Sequence, residues 1–425
     1  MNQYLIRRAT KNNDDKRLKS LYRSIFLTED VGGLAEVMYN HYPVMKKEYW
    51  VVAEEKASQQ MVSAIALIPW TWEINGVRLR AAEMGLVGTL DEHRGRGLQK
   101  LLNAEFDLTL KDEQYDLAVI QGIPGFYHKF GYHYAVALEN HINLPLDKIP
   151  GHTDNGNYTF RLADKKDIPF LMKEDDRYRS HYLLSSVRDE QHWEYMMSYG
   201  LKTDCGAEYW IMQDLTQGEQ YYCKIPWVGF GTGLIVSEVS EDISLTALHR
   251  MLSFCRQKAV ERNKPYIRFN LHNESTAAEA IMALGIPTGR PYAWQVKIVD
   301  KINFLIKLKP ILEKRIADSV FKGYSGIYRV NFYNEVIDMH WEKGCLKSVT
   351  SGGEGESPHT YCIGNDLFPS LVLGHRSWEE LQYFRPDASP QLLNILPTFE
   401  SLNDKTGLLT GTLFPACKSW IYQQY

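Results

Sequence analysis

The stretch VGTLDEHRGRGL, residues 87–98, decides the fold of the first part of the chain. The apolar run at residues 84–90 has the length and composition of a buried strand. Beyond the glycines of this stretch, apolar residues recur at helical spacing and mark one face of a helix. They are Leu98, Leu101, Leu102, Phe106 and Leu110. The pattern predicts a strand, a tight loop and a helix in direct succession.

The loop between this strand and this helix has the features of an anion site. Gly95 and Gly97 let the backbone approach a ligand closely, because glycine carries no side chain. The first amides of the following helix have no partner within the helix, and the helix dipole adds partial positive charge there. Arg94 and Arg96 supply further positive charge. The loop therefore predicts a binding site for a pyrophosphate that needs no metal.

Two short segments follow the predicted helix. Residues 117–120 form a continuous apolar run, which predicts a strand covered on both faces and parallel to the first. Residues 124–132, PGFYHKFGY, predict a short helix that ends at Gly131. Tyr127 lies on a different face from the flanking phenylalanines, so we expect it to point away from them.

Composition limits the classes of function. A chain of 425 residues exceeds what one hydrophobic core usually serves, so two or three domains are expected. The net charge of -4 gives no broad positive field, and nucleic acid is not expected as a partner. The six cysteines form no CxxC pair and the histidines show no ligand spacing, so no metal is expected. No apolar run approaches the ~18 residues of a membrane span, so we expect a cytoplasmic protein without a membrane partner.

A weak internal repeat of roughly 150 residues suggests a duplicated domain. Residues 5–9 and 159–163 open the two copies, and residues 49–53 and 209–212 are matching strands. A third segment starts near Asp300 with an amphipathic helical pattern and continues into strands that alternate as a hairpin would. The chain is therefore divided into residues 1–150, 151–299 and 300–425.

Residues 87–98, followed by residues 126–132, resemble the acetyl-CoA signature of GNAT acetyltransferases. The whole layout, which ends in WIYQQY at residues 420–425, resembles the enhanced intracellular survival (Eis) type of N-acetyltransferase. This resemblance implies an α+β fold with two tandem GNAT domains and a C-terminal domain similar to a sterol carrier protein. It also implies a homohexamer. The third domain is expected to deliver the chain terminus to the first domain rather than to carry sterol.

The resemblance also assigns the acetyl-CoA site. Main-chain groups of residues 87–89 would hold the pantetheine arm, residues 94–100 would take the pyrophosphate, and residues 122–123 would line the groove. By name, the implied residues are Val87, Gly88, Thr89, Arg94, Gly95, Arg96, Gly97, Leu98, Gln99, Lys100, Gly122 and Ile123. Gln99 departs from the small residue of many GNAT loops. Because the second half has no counterpart of residues 94–97, it is expected to bind no acetyl-CoA.

Two catalytic residues are implied in the same way. Tyr127 matches the tyrosine that protonates the departing thiolate, and the terminal carboxylate of Tyr425 matches the general base. A free α-carboxyl has a pKa of ~3.3 to 3.7 and is a weak base unless burial raises this value. Glu83, just before the cofactor strand, and water therefore stay open as alternative bases.

The expected function is acetyl-CoA-dependent acetylation of a primary amine, on a small molecule or on a lysine side chain of a peptide. An acyl transfer to other peptide groups or to nucleotides is not excluded by the sequence. The alternative is a lipid- or ligand-carrying scaffold in which the GNAT half is not catalytic. The two hypotheses differ in one expectation: the enzyme must bind acetyl-CoA in a way that Arg96→Glu abolishes, whereas the scaffold need not bind it at all.

Overall fold

The structure is a computed structural model that describes residues 3–149, 156–229, 231–287, 292–353, 357, 359–390 and 405–425. Helices and strands are interspersed in each of the three segments of sequence. The α+β fold class predicted from the sequence is confirmed. Among the described residues, we find no helix that is long and apolar enough to cross a membrane.

The first segment places a strand, a short loop and a helix in succession, as predicted. Its elements are β1 (Tyr4–Arg8), α1 (Asp14–Ile25), α2 (Val31–His41), β2 (Trp50–Glu55), β3 (Met61–Ile74), β4 (Val77–Thr89), α3 (Leu98–Asp112), β5 (Leu117–Ile120), β6 (His133–Glu139) and β7 (His141–Pro145). Strand β4 begins earlier than the apolar run at residues 84–90 predicted. Its first half pairs with the end of β3 in a long antiparallel hairpin.

The second segment again begins with a strand followed by helices and an antiparallel strand pair. Its elements are β8 (Tyr158–Leu162), α4 (Ile168–His181), β9 (Leu184–Ser186), α5 (Glu190–Met196), β10 (Ala207–Asp214), β11 (Gln220–Pro226), β12 (Leu234–Val236), β13 (Glu238–Val239), α6 (Leu245–Glu261), β14 (Tyr266–Asn270), α7 (Thr276–Met282) and β15 (Tyr292–Ile298). An Arg7–Asp14 ion pair at 2.7 Å joins β1 to α1, and Arg161 and Asp167 form its counterpart at 2.7 Å.

The third segment contains the hairpin that its alternating pattern predicted, formed here by β16 and β17. Its elements are α8 (Lys301–Lys307), α9 (Lys309–Ala317), β16 (Gly326–Asn331), β17 (Val336–Glu342), β18 (Cys345–Ser351), β19 (His359–Cys362), α10 (Phe368–Val372), α11 (Trp378–Phe384), β20 (Ser389–Pro390) and α12 (Lys405–Leu413). Its strands form a sheet of order β18-β17-β16-β19-β20.

The first two segments exchange strands. The main sheet has the order β1-β2-β3-β4-β5-β15-β6, so β15 of the second segment lies between two strands of the first. In return, β7 of the first segment pairs with β14 in a sheet of order β12-β14-β7. The predicted boundary at residue 150 lies outside the described residues, and the boundary near 300 falls between β15 and α8. The division into three domains stays a prediction, and the exchanged strands cross it.

A bulge interrupts the pairing of β3 with β4. The register shifts between Ala64 and Ala66, and Leu86 on the facing strand has a φ of 50°, a left-handed conformation that side chains rarely adopt. The hydroxyl of Tyr22, from α1, donates a hydrogen bond to the carbonyl of Leu86. This bond satisfies an acceptor at the distorted site and stabilises the bulge.

The last residues of the chain, 418–425, form an extended C-terminal tail between the first two segments. The amide of Trp420 donates to the carbonyl of Leu184, the first residue of β9, at 3.0 Å. Further along, the fully buried Gln424 accepts a hydrogen bond from the amide of Thr71 in β3 at 3.3 Å. The tail therefore reaches the first segment.

Candidate functional site

Strands β4 and β5 pair in parallel over a short stretch only. The ladder joins residues 81–83 to residues 117–119, whereas β4 continues to Thr89. The two strands therefore diverge after Glu83, and the β5 side of residues 87–89 is left open. An open strand edge can hydrogen-bond an extended ligand as it would another strand. We call this opening the fork.

The loop before α3 lies where β4 ends. Gly95 and Gly97 have φ values of 74° and 76°, and a β-carbon added at either glycine would meet no atom within 4 Å. Gly97 is the N-cap of α3 and offers no side chain to the first amides of the helix. The loop therefore leaves open space in front of a helix N-terminus, as an anion site requires.

The two arginines of the loop are exposed and are held by neighbouring groups. Arg94 forms an ion pair with Asp91 at 2.8 Å. Arg96 donates to the hydroxyl of Tyr4 and to the carbonyl of Glu92, both at 3.0 Å. Because an exposed ion pair contributes about 0 to 1 kcal/mol, the contact of Arg94 with Asp91 is a weak competitor for a bound pyrophosphate.

Gln99 points to the strand and away from the open space of the loop. Its amide nitrogen donates to the hydroxyl of Thr89 at 3.0 Å and to that of Ser63 at 3.2 Å. The hydroxyl of Ser63 in turn donates to the carbonyl of Gly88 at 2.8 Å. Gln99 thus ties the first turn of α3 to β4, which gives a structural role to the residue that departs from the family pattern.

Tyr127 lies on the opposite side of the fork, at the start of a 3-10 helix, Tyr127–Phe130, that ends at Gly131 as predicted. Its ring packs against Gly122, where a β-carbon would lie 2.4 Å from two ring carbons. Burial raises the pKa of Tyr127 to about 12. Ile123, which follows Gly122, is 66% exposed.

Strand β15 holds the carbonyl of Gly122 from behind. The side-chain amide of Gln295 donates to it at 2.9 Å, and the hydroxyl of Tyr292 donates to it as well. Through the exchanged strand, the second segment therefore holds in place the glycine against which Tyr127 packs.

Glu83 lies at the base of the fork and is 3% exposed. Its carboxylate accepts hydrogen bonds from the phenol of Tyr425 at 2.8 Å and from the amide of Gln121 at 3.2 Å. Burial raises the pKa of Glu83 to about 7, while these two hydrogen bonds and the nearby indole of Trp70 oppose the rise. Gln121 directly precedes Gly122, against which Tyr127 packs, so neighbouring residues of the chain contact the candidate acid and the candidate base.

The second segment contains a cluster of buried charged side chains, which lies beside the C-terminal tail. Arg188, fully buried, bonds both Asp175 and Glu238, and Lys224 lies 3.1 Å from Glu238. Burial alone would raise the pKa of Glu238, but attraction to Arg188 and Lys224 outweighs it and lowers that pKa to about 2. Arg188 also lies 5.2 Å from the ring centre of Tyr422 and so contacts the tail.

A cavity of about 210 Å³ opens beside the same part of the tail. Its walls include Gln121 from the first segment, Lys224 and Arg268 from the second, and tail residues 420–423. Because Gln121 is also a partner of Glu83, the cavity reaches the neighbourhood of the fork.

The helix of the second segment that corresponds to α3 starts differently. Ser244 is the N-cap of α6, and its side chain accepts a hydrogen bond from the amide of Ala247. The helix N-terminus is therefore capped by its own serine, whereas the N-terminus of α3 follows a glycine. Within the part of the chain that the structure describes, no group of three or more acidic, histidine or cysteine side chains is arranged to hold a metal ion.

Residues 6–135 match the family model for the acetyltransferase (GNAT) domain. The matched region contains the fork, the loop at residues 94–100, Tyr127 and Glu83. This part of the chain is therefore similar to the acetyltransferase (GNAT) domain. No curated protein matches the sequence.

Solved structures of similar fold span the whole chain. A GCN5-related N-acetyltransferase from Anabaena variabilis aligns with a TM-score of 0.66 and 15% identity over 99% of both chains. A conserved protein from Enterococcus faecalis, described as a probable N-acyltransferase, has a TM-score of 0.68 and 14% identity over 99% of both. Eis1 from Mycobacterium abscessus has a TM-score of 0.60 and 10% identity over 99% of both. At these identities the likeness shows a shared GNAT-type α+β fold.

Several residues at the fork have no local signal in the sequence. They are Tyr22, which holds the bulge; Gln121, which contacts Glu83; and Tyr292 and Gln295, which support Gly122. Each is brought to the site by tertiary structure, so a pattern of neighbouring residues could not have identified it.

Proposed function

We propose that the chain is an acetyl-CoA-dependent N-acetyltransferase that acetylates a primary amine. The observation that carries the proposal is the fork between β4 and β5: Glu83 lies at its base, the loop at residues 94–100 follows β4, and Tyr127 follows β5. The similarity of residues 6–135 to the acetyltransferase (GNAT) domain supports the acyl donor. N-acetyltransferases among the proteins of similar fold support the acceptor class.

The donor half of the site suits coenzyme A. The open space around Gly95 and Gly97, with exposed Arg94, Arg96 and Lys100 beside it, would take the pyrophosphate. The pantetheine arm would pair with the open edge at residues 87–89. This arrangement would direct the thioester into the fork.

The reaction requires one proton to leave the amine and one to reach the thiolate. Attack of the amine nitrogen on the thioester carbonyl forms the C–N bond, and collapse of the tetrahedral intermediate breaks the C–S bond. A primary alkylamine has a pKa of ~10.4, so it must lose a proton before or during attack. Tyr127 remains protonated at neutral pH, since its pKa is raised to about 12, and it donates to the departing thiolate.

Two carboxyl groups are candidates for the base. One is the terminus of Tyr425, and the other is the side chain of Glu83, which the phenol of Tyr425 contacts. A base works best when its pKa lies near the working pH, and the pKa of about 7 favours Glu83 over a free terminal carboxylate. The cavity beside the tail offers the amine a route to this point.

The proposal is tested by incubating the full chain with acetyl-CoA and a panel of primary amines that includes diamines, amino sugars and lysine peptides. Release of free thiol and the mass of the product are followed together. We expect thiol release that depends on one class of amine, with an N-acetylated product. The absence of both thiol release and acetyl-CoA binding would contradict the proposal and favour a ligand-carrying scaffold.

A further inference from the structure

The phenol of Tyr425 contacts the candidate base directly. Its hydroxyl donates to one carboxylate oxygen of Glu83 at 2.8 Å, and the amide of Gln121 donates to the other at 3.2 Å. Each oxygen of the carboxylate therefore has a neutral donor. Such donors favour the ionised form of a buried acid, because they replace part of the hydration that burial removes.

Besides these two donors, the indole of Trp70 is a further neutral group that favours the ionised form of Glu83. From β3, the ring of Trp70 lies 5.7 Å from that of Tyr425. From the end of α2, the ring of Tyr42 lies 6.1 Å from the same ring, and the hydroxyl of Tyr42 and the thiol of Cys205 face Glu83 as neutral groups. Within the described residues, no cation shifts the pKa of Glu83. The two donors therefore matter more here than they would beside an arginine or a lysine.

The donor on Tyr425 is present only because the tail is docked. The hydroxyl of Ser186 donates to the carbonyl of Tyr422 at 2.7 Å, and Gln424 is fully buried between Thr71 and Val187. These contacts hold the last residue of the chain at the base of the fork. The tail is therefore part of the third segment in sequence, but its last side chain contacts Glu83 in the first segment.

We propose that the phenol of Tyr425 is a positioning residue that keeps Glu83 ionised and oriented as the general base. The inference rests on the proposed function and deepens it, since it makes Glu83 the base in place of the terminal carboxylate and gives the side chain of Tyr425 the role of positioning that base. The base is complete only when the C-terminal tail has docked.

The test compares Tyr425→Phe with the wild-type chain across pH. The substitution removes one oxygen and keeps both the ring and the terminal carboxylate. Loss of the donor raises the pKa of Glu83, so the acid limb of kcat/KM moves to higher pH. We expect about a tenfold loss at pH 6, corresponding to a shift of about one unit, and about the wild-type rate at pH 9. KM for acetyl-CoA is expected to stay unchanged.

A matched control is Tyr182→Phe, which removes the hydroxyl of another buried tyrosine packed beside the tail; that hydroxyl donates to Glu241 at 3.0 Å rather than to Glu83. Its acid limb is expected to coincide with that of the wild type. A glycine appended after Tyr425 displaces the terminal carboxylate and keeps the phenol in the chain. An unchanged profile in Tyr425→Phe, together with lost turnover in the glycine variant, would overturn the inference and make the terminal carboxylate the base.

A second readout does not depend on turnover. The full chain, labelled with 13C at the glutamate side-chain carboxyls, is titrated by NMR, with Glu83→Gln used to assign the Glu83 signal. The inference predicts a higher midpoint for Glu83 in Tyr425→Phe than in the wild type. Equal midpoints would overturn it. If no amine is acetylated, the proposed function fails, while this comparison still decides whether the phenol keeps Glu83 ionised.

Discussion

The ring of Tyr127 lies so close to the α-carbon of Gly122 that a β-carbon there would be 2.4 Å from two ring carbons. The same glycine has its carbonyl held by Gln295 at 2.9 Å. The backbone at Gly122 therefore cannot yield easily, and the side chain of Tyr127 would have to move instead. The position of the candidate acid thus depends on the absence of a side chain at residue 122.

Gly122→Ala is expected to displace the ring of Tyr127 and lower kcat about 100-fold, since a misplacement of ~1 Å at a reacting group can have this effect. Gly125→Ala is the control. Gly125 has a φ of 73° and nothing within 4 Å of an added β-carbon. The control loses about 1 to 2 kcal/mol of stability through backbone strain and keeps its kcat. Equal kcat in both variants would show that Tyr127 need not hold this position.

Tyr127→Phe is expected to lower kcat about 100-fold with no change in the Kd for acetyl-CoA, because it removes the proton donor and keeps the ring. Steady-state kinetics and calorimetry measure the two quantities. Tyr132→Phe is a matched change in an adjacent ring, whose buried hydroxyl has no hydrogen-bond partner among the described residues. This control is expected to retain the wild-type kcat. Full activity in Tyr127→Phe would remove the tyrosine from the mechanism.

Arg188→Met is expected to lower the free energy of unfolding by about 3 to 5 kcal/mol, because it removes the buried cation that bonds Asp175 and Glu238, of which Glu238 keeps Lys224. Denaturant titration of the full chain measures the loss. Lys314→Met, which breaks an exposed ion pair with Asp318, is expected to cost about 0 to 1 kcal/mol. Similar losses in the two variants would contradict a structural role for the buried cluster.

Ser244→Ala is expected to destabilise the chain by about 1 kcal/mol, because it removes the side-chain cap of α6. The number of acetyl-CoA molecules bound per chain is expected to stay at about one, since the second segment lacks the loop glycines and arginines. Thermal unfolding and calorimetric stoichiometry measure these effects. A second site in the wild-type chain would show that a serine-capped helix can also bind the donor.

Much of the donor site could be predicted from sequence because its signals are local. Glycine spacing and apolar periodicity predicted the loop and α3, and α3 does bury Leu98, Leu102 and Phe106 on one face. The short helix that ends at Gly131 was predicted in the same way, although it begins at Tyr127, later than the sequence pattern predicted. These features depend on residues a few positions apart, so one sequence is enough to identify them.

The remainder depends on pairings between distant segments. Nothing in residues 292–298 specifies that they insert between β5 and β6, because strand propensity does not select a partner strand. The hydrogen bond from Tyr22 to Leu86 and the contact between Tyr425 and Glu83 likewise join residues far apart in the chain. The family resemblance led us to expect the chain terminus near the first domain, but not the contact made by its phenol.

The central claim is that the loop at residues 94–100 binds the diphosphate of acetyl-CoA, and calorimetric titration of the full chain with acetyl-CoA tests it most directly. Arg96→Glu reverses the charge at the loop, and Arg256→Glu reverses an exposed arginine on α6 as the matched control. We expect about one site per chain in the wild type and in the control, and no measurable binding to Arg96→Glu. No binding to the wild-type chain, or equal affinity in all three proteins, would contradict the account.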